Sequence, residues 1–164
     1  MNVGDLFFGR RIRQNHALEH ATVTILAGMI PNLRVSARSS PRGFVIFGSV
    51  DIDKVKVAAQ EALERLQAGE VELAIHPNCG TNVAVGISLA VTGVVFILAL
   101  MRSPIRFLLS LVGAAVAALA ARPLGAVVQR HVTTLADLRR VRITNVARRY
   151  YLGFAVVEVQ TVQE

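Results

Sequence analysis

The sequence predicts an α+β fold: a small cytoplasmic α-β-β-α-β domain with an inserted two-helix transmembrane hairpin and a C-terminal strand that returns to the domain. Two long apolar segments lie in the second half of the chain, and β-rich segments lie on both sides of them. The composition agrees, because 53% of the 164 residues are hydrophobic and only 18% are charged, against about 25% charged residues in average soluble chains.

The N-terminal part of the domain is predicted to be a long helix followed by two short strands. Apolar residues recur at helical spacing over 5–29, and Pro31 ends that run. A strand is expected at 34–37, and the segment 44–50 (FVIFGSV) is a second strand rich in β-forming residues. The residues of 39–43 (SSPRG) form a turn between these two strands.

A second helix and a third strand are predicted next. Asp51 is placed to cap the helix, which runs over 55–69 and ends at Gly69. In 70–76 (EVELAIH) apolar and polar residues alternate. That period of two is typical of a half-buried strand.

Two apolar segments are expected to form the transmembrane hairpin. The first, 83–101, contains nineteen residues without a charge and would span about 28 Å as a helix. The second, 107–121, can be extended by Ile105 before it and by 124–128 after it, and 102–106 is a basic turn that contains a proline. The alternative is a pair of buried core helices, which a soluble domain of this size rarely accommodates.

The C-terminal part is expected to leave the membrane and rejoin the sheet. The segment 122–150 is predicted to be a basic, partly helical connector on the lipid surface, and 153–162 is a β-rich strand. The predicted domains are therefore 1–82 (cytoplasmic α+β domain), 83–121 (transmembrane hairpin) and 122–164 (connector and returning strand).

The distribution of charge predicts the orientation in the membrane. A hairpin places both flanking segments on one side, and 122–164 carries seven Lys/Arg against three acidic residues. The positive-inside rule therefore predicts a multi-pass protein of the inner (cytoplasmic) membrane with both flanking segments in the cytoplasm. The two arginines of the short turn 102–106 oppose this orientation mildly.

The overall charge of +7 restricts the classes of partner. A basic excess is typical of proteins that contact nucleic acid or an anionic membrane surface. The chain has no tryptophan, only 5% aromatic residues and no nucleic-acid motif, and its basic clusters lie beside the predicted membrane anchor. We expect membrane lipids as partners, together with a membrane-protein partner or a second copy of the chain, and no nucleic acid.

The first chemistry-bearing cluster is the five-residue sequence His16-Ala17-Leu18-Glu19-His20. Residues i and i+4 share one face of a helix, so the two imidazoles can bind the same metal ion. Glu19 lies beside the pair and can reach a metal-bound water. This H-x-x-E-H order is that of the inverzincins, in which the metal lowers the pKa of a water and the glutamate accepts its proton.

The second cluster contains a third histidine and the single cysteine, in His76-Pro77-Asn78-Cys79. H-x-x-C is a normal spacing for two zinc ligands on a turn, and this turn directly precedes the first apolar segment. If the clusters meet, then three histidines and one thiolate form a tetrahedral Zn²⁺ site: His16, His20, His76 and Cys79. Glu72 is the best additional carboxylate ligand. The alternative is that these are surface histidines and a small buried cysteine.

Two resemblances follow from these motifs. His16 to His20 resemble the zinc motif of the insulinase and pitrilysin peptidases, a similarity that covers this motif alone and implies metallopeptidase-like chemistry. The signatures HALEHAT at 16–22 and HPNCGTN at 76–82, followed by the hairpin, resemble a family of uncharacterised bacterial membrane proteins. That second similarity covers most of the chain and implies no activity.

Two functions remain open at this point. In the first, the protein is a zinc-dependent hydrolase at the membrane interface, with the metal held by the three histidines and Glu19 as the catalytic general base. Four protein ligands would close a zinc site, so catalysis requires Cys79 to be displaced or to point elsewhere. In the second, all four ligands form a structural site in a membrane scaffold or in an accessory subunit of a membrane complex.

Overall fold

The computed structural model describes residues 3–151 and 153–163. Its elements occur in the order α-α-β-β-α, then two long helices, then β-β. The chain divides into two compact units, the first formed by Met1–His76 with Arg130–Glu164 and the second by Pro77–Gln129. The second unit is therefore inserted in the sequence of the first.

The predicted N-terminal helix is two helices, α1 (Val3–Phe8) and α2 (Arg10–Met29). Gly9 separates them at a φ of 72°, a left-handed conformation that residues other than glycine rarely adopt. α2 ends at Met29, and its C-cap residue Ile30 directly precedes Pro31. The predicted cap of α3 (Ile52–Gln67) is confirmed, because the carboxylate of Asp51 accepts hydrogen bonds from the backbone N–H groups of Asp53 and Lys54, and the helix begins three residues before its predicted start at 55.

The sheet of the first unit has four antiparallel strands in the order β1-β2-β4-β3. β1 (Ser36–Ser40) and β2 (Gly43–Phe47) form a hairpin, and β3 (Val141–Tyr151) and β4 (Phe154–Gln163) form another. β2 and β4 pair in the centre, with Phe44 opposite Val159 and Ile46 opposite Val157. The predicted C-terminal strand is thus confirmed as a central strand.

The core lies between α2, α3 and the sheet. These elements and the segment before β3 contribute apolar residues that are almost completely buried: Ala17, Leu18, Ala21, Leu26, Phe44, Ile46, Val55, Ala58, Ala59, Ala62, Leu66, Leu138, Val141, Val157 and Val159. Alanines on the buried face of α3 allow a close approach of the two helices. Burial of this apolar surface is the main favourable term in the folding of the unit.

The prediction of a strand at 70–76 is wrong. The segment forms a short 3-10 turn, Val71–Ala74, in which Leu73 N–H donates to the Glu70 carbonyl and Ile75 N–H donates to the Glu72 carbonyl. It contacts α2 and α3 and is absent from the sheet, where β4 occupies the position beside β2. The alternation of apolar and polar residues in 70–76 therefore corresponds to a short turn that packs against α2 and α3, and not to a strand.

The prediction of a partly helical connector at 122–150 is wrong for its second half, which forms strand β3. Val141 is buried and Ile143 partly buried, whereas Arg142 between them is exposed. A register shift between Ile143 and Asn145 then disturbs the alternation. The arginines of β3 occupy exposed positions, and its apolar residues face α3. Because the arginines are so numerous, the period of two is hard to recognise in the sequence.

The second unit is a pair of long helices, α4 (Gly80–Leu100) and α5 (Arg106–Val128). α5 continues through Pro123 and is followed by a π-helical turn, Gln129–Thr133. Both helices are long and apolar enough to cross a membrane, and an 18-residue window in each has a mean hydropathy of 2.6 and 1.9, respectively. Large apolar side chains on them are exposed, among them Val83, Ile87, Val95, Leu108, Leu111 and Leu119.

A polar contact joins α4 to the end of α5 within this unit. The buried Gln129 side chain donates from Nε2 to Oδ1 of Asn82 at 2.7 Å, and Asn82 Nδ2 donates to the Pro77 carbonyl at 2.7 Å. Gly125 lies against Asn82 so closely that a Cβ there would overlap the amide. Because the side-chain amides of Gln129 and Asn82 are hydrogen-bonded to each other away from water, they fix the register of α4 against α5.

The Gly43→Ala variant should be destabilised by about 2 kcal/mol or more. Gly43 has a φ of 139°, and an added Cβ would overlap the carbonyl of Val159 on the central strand β4. The free energy of unfolding can be measured by chemical denaturation of the purified protein. Gly28→Ala is the matched control, because Gly28 lies in α2 with nothing within 4 Å of an added Cβ. Equal stability of the two variants would contradict this account of the β1–β2 turn.

Candidate metal centre

Three histidines of the first unit lie next to one another. His16 and His20 are one turn apart on α2, and their ring centroids are 4.3 Å apart. His76 follows the 3-10 turn, and its ring centroid is 5.8 Å from that of His20. The structure therefore brings together three of the four predicted metal ligands within a single compact unit.

Two of the rings are oriented by backbone carbonyl groups. His20 Nδ1 is 2.7 Å from the carbonyl oxygen of Ala74, and His16 Nδ1 is 3.0 Å from that of Thr133. Because a carbonyl oxygen only accepts, each Nδ1 carries the proton, and in the neutral ring Nε2 then holds the lone pair. Metal-binding histidines typically show this pattern, in which a carbonyl fixes the tautomer and the other nitrogen binds the ion.

The spacing of the α2 histidines suits a tetrahedral ion. Two nitrogens bound to the same zinc at about 2.0–2.1 Å lie about 3.3 Å apart. Ring nitrogens of His16 and His20 lie within 4.8 Å of each other, so small side-chain rotations would bring both to one ion. Burial lowers the pKa of the His76 imidazole from its ordinary value, which favours the neutral form that binds metals.

Glu19 is held between α2 and the sheet. Its side chain is 7% exposed, and its carboxylate accepts a hydrogen bond from the hydroxyl of Ser39 on β1. Burial raises the pKa of Glu19, while the Ser39 bond and the nearby charge of His16 act in the opposite direction. The carboxylate is therefore fixed in place beside the histidines and is not part of a solvated helix face.

Cys79 belongs to the second unit, three residues after His76. It is the N-cap residue of α4, and its Sγ accepts a hydrogen bond from the backbone N–H of Thr81 at 3.4 Å. The thiol is 8% exposed and also lies 3.4 Å from the Thr81 hydroxyl. A thiol at a helix N-terminus is the environment that stabilises a thiolate, because the helix dipole is positive there.

Glu72, the predicted additional ligand, forms a different interaction. Its carboxylate accepts two hydrogen bonds from Arg130 Nη2, at 2.7 and 2.8 Å. Both side chains are more than half exposed. This pair joins the segment before the insertion to the segment after it.

Sequence reasoning missed the groups that orient the histidines. The carbonyls of Ala74 and Thr133 and the hydroxyl of Ser39 carry no sequence signal, because any residue supplies a carbonyl and serine is common in turns. Arg13 is 1% exposed and donates to the carbonyls of His131 and Thr134, on either side of Thr133. Its position on α2 was a sequence signal for this role, because Arg13 lies three residues before His16 and on the same face of the helix.

These features define a mixed α+β protein with two apolar helices and a cluster of histidines. The chain belongs to the family described as "Domain of unknown function (DUF6391)", whose model matches residues 11–146. An uncharacterized protein of Picosynechococcus sp. (strain ATCC 27264 / PCC 7002 / PR-6) is 37% identical over 140 residues, which covers 77% of this chain and 67% of that protein. No solved structure matches the chain. The expected resemblance to an uncharacterised bacterial family is thereby supported.

Proposed function

We propose that this protein is a zinc-dependent hydrolase of the bacterial inner membrane, with its metal bound by His16, His20 and His76. The observation that carries the proposal is the orientation of two α2 histidines by backbone carbonyls, through Nδ1. A carbonyl partner at Nδ1 leaves the lone pair of the neutral ring on Nε2, the nitrogen that would bind the metal. Two histidines one turn apart with the same tautomer form an oriented pair of nitrogen ligands, and the His76 ring centroid lies 5.8 Å from that of His20.

Glu19 is the proposed general base. Three histidine ligands leave the fourth position of a tetrahedral zinc open for water, whose pKa the metal lowers toward neutrality. Glu19 follows His16 by three residues and precedes His20, and the Ser39 hydroxyl fixes its carboxylate. The substrate would be a peptide or a lipid-linked amide or ester that arrives at the interface.

Membrane insertion is the second part of the proposal. Exposed leucine, valine and isoleucine side chains on both α4 and α5 support it, because apolar surface of this extent is unfavourable in water. The basic excess of the C-terminal segment supports an orientation with both flanking segments in the cytoplasm. The three histidines would then act at the cytoplasmic face.

A structural zinc site is the alternative function, and the chemistry of Cys79 favours it. The buried thiol lies at a helix N-terminus and follows His76 by three residues, a common ligand spacing. With Cys79 as the fourth ligand the site would be closed to water. The protein would then be a scaffold or an accessory subunit of a membrane complex.

Metal content is the first test. The protein purified in detergent should contain about one zinc per chain by elemental analysis, and His16→Ala should lose most of it, because two nitrogens bind zinc far more weakly than three. His131→Ala is the matched control, since this histidine is exposed and lies outside the cluster. Protein without metal even after zinc is supplied, or equal loss in both variants, would refute a zinc site at these residues.

The same protein loaded with Co²⁺ distinguishes the two functions. A closed site predicts a thiolate-to-cobalt charge-transfer band that Cys79→Ser abolishes, and an open three-histidine site predicts a cobalt spectrum that this variant leaves unchanged.

Glu19→Gln should keep the metal and lower turnover by about 100-fold or more, because a general base typically contributes this much. The amide has the same shape and can still accept a hydrogen bond from Ser39. Turnover can be measured on fluorogenic peptide and lipid-ester substrates, with zinc content determined on the same samples. Glu64→Gln on the exposed surface of α3 is the control. Full activity with full zinc content in Glu19→Gln would remove Glu19 from the mechanism.

The orientation can be tested with single cysteines in a Cys79→Ser background. Ser103→Cys lies in the exposed turn between α4 and α5, and Ala68→Cys at the exposed end of α3. A membrane-impermeant maleimide should label Ser103→Cys in intact cells and Ala68→Cys only after permeabilisation. Identical labelling of the two positions would contradict the hairpin. Alkaline phosphatase fused after Ser103 reports the same sidedness with Cys79 intact.

A further inference from the structure

A basic pocket lies in the first unit, apart from the histidines. It has a volume of about 820 Å³ and is formed by the start of α2, the segment before β3 and the end of β4. Its charged lining is four arginines and one aspartate: Arg10, Arg11, Arg139, Arg140 and Asp137. The lining therefore has a formal charge of +3.

Asp137 compensates only part of this charge. It accepts from Arg139 Nε at 2.9 Å and from Arg139 Nη2 at 3.2 Å, and Arg10 Nη2 is 3.4 Å away. Arg11 and Arg140 form no ion pair within residues 3–151 and 153–163. Two guanidinium groups therefore line the pocket without a carboxylate partner, and each presents a fork of N–H donors.

Gln163 adds an uncharged donor to the same pocket. Its side-chain Nε2 is buried and has no acceptor among the described residues. A buried N–H group without an acceptor is energetically unfavourable. Gln163 is also a lining residue of the pocket, and rotation of its side chain toward a bound anion would supply the missing acceptor.

We infer that this pocket binds the phosphate group of a small phosphate ester, through Arg11, Arg140 and Gln163. Guanidinium groups bind phosphate oxygens bidentately, and a phosphate offers enough oxygens for all three side chains at once. The volume is within the range of about 300–1,000 Å³ of small-molecule sites, and it exceeds the need of a bare ion. Two sources supply this chemistry, an anionic phospholipid headgroup and a free phosphate ester.

This inference is independent of the proposed zinc site, because the two sites share no residue. The full chain, purified in detergent, is titrated by calorimetry with inorganic phosphate, with glycerol phosphate and with short-chain phosphatidylglycerol. We expect saturable binding of the two esters. A higher affinity for phosphatidylglycerol than for glycerol phosphate assigns the site to a lipid headgroup, and equal affinity assigns it to a soluble ester.

The Arg11→Gln/Arg140→Gln double variant should weaken binding by about tenfold or more, because each arginine donates charge-assisted hydrogen bonds. The control Arg34→Gln/Arg38→Gln removes the same charge at exposed positions outside the pocket and should change affinity by less than about twofold. Gln163→Glu, which places a negative charge in the pocket, should weaken binding without loss of either arginine. The Gln163→Glu variant therefore still tests phosphate binding if the double arginine variant unfolds.

Three results would overturn the inference. The first is the absence of saturable binding of any phosphate compound to the wild type. The second is an equal loss of affinity in the pocket variants and in the Arg34→Gln/Arg38→Gln control, which would indicate a general charge effect. The third is binding of acetate as tightly as glycerol phosphate, which would show that the pocket does not distinguish phosphate from other anions.

Discussion

The buried guanidinium of Arg13 is the interaction on which the first unit depends. A buried charge is costly unless it is paired and hydrogen-bonded. Arg13 Nη1 donates to Asp5 at 2.7 Å, and its Nη2 donates to the carbonyls of Thr134 at 3.0 Å and His131 at 3.2 Å. The Arg13 carbonyl in turn accepts from Leu135 N–H. One residue of α2 thereby joins α1 to the chain that returns after the inserted helices.

This attachment positions the candidate metal centre. The segment that Arg13 holds contains Thr133, whose carbonyl oxygen is 3.0 Å from His16 Nδ1. Further polar residues on α2 make similar contacts, since Gln14 donates to the Asp137 carbonyl and Asn15 contacts Ser40 and Thr161. α2 therefore forms one side of the apolar core and is also hydrogen-bonded to α1, β1, β4 and the segment 131–137. Its polar residues are buried because each has a partner.

Sequence reasoning predicted the elements whose signal is local. Asp51 caps α3 by hydrogen bonds within three residues, and the long apolar runs of α4 and α5 need no partner to be recognised. It failed at 70–76 and 141–150, where the choice between strand and turn depends on which edge of the sheet is available. β-structure is a property of the pair of strands, and a single segment shows only whether its residues fit a pleated surface.

The sequence by itself determined the α+β class, the two apolar helices and the placement of His16 and His20 on one helix face, because helical spacing and hydropathy are encoded residue by residue. Only the tertiary structure decided that His76 lies beside them, that Ala74 and Thr133 supply the orienting carbonyls, and that Ser39 holds Glu19. The basic pocket likewise combines residues from the two ends of the chain. Such contacts depend on backbone groups and on residues far apart in sequence. Neither kind of contact produces a periodic pattern in the sequence from which it could be predicted.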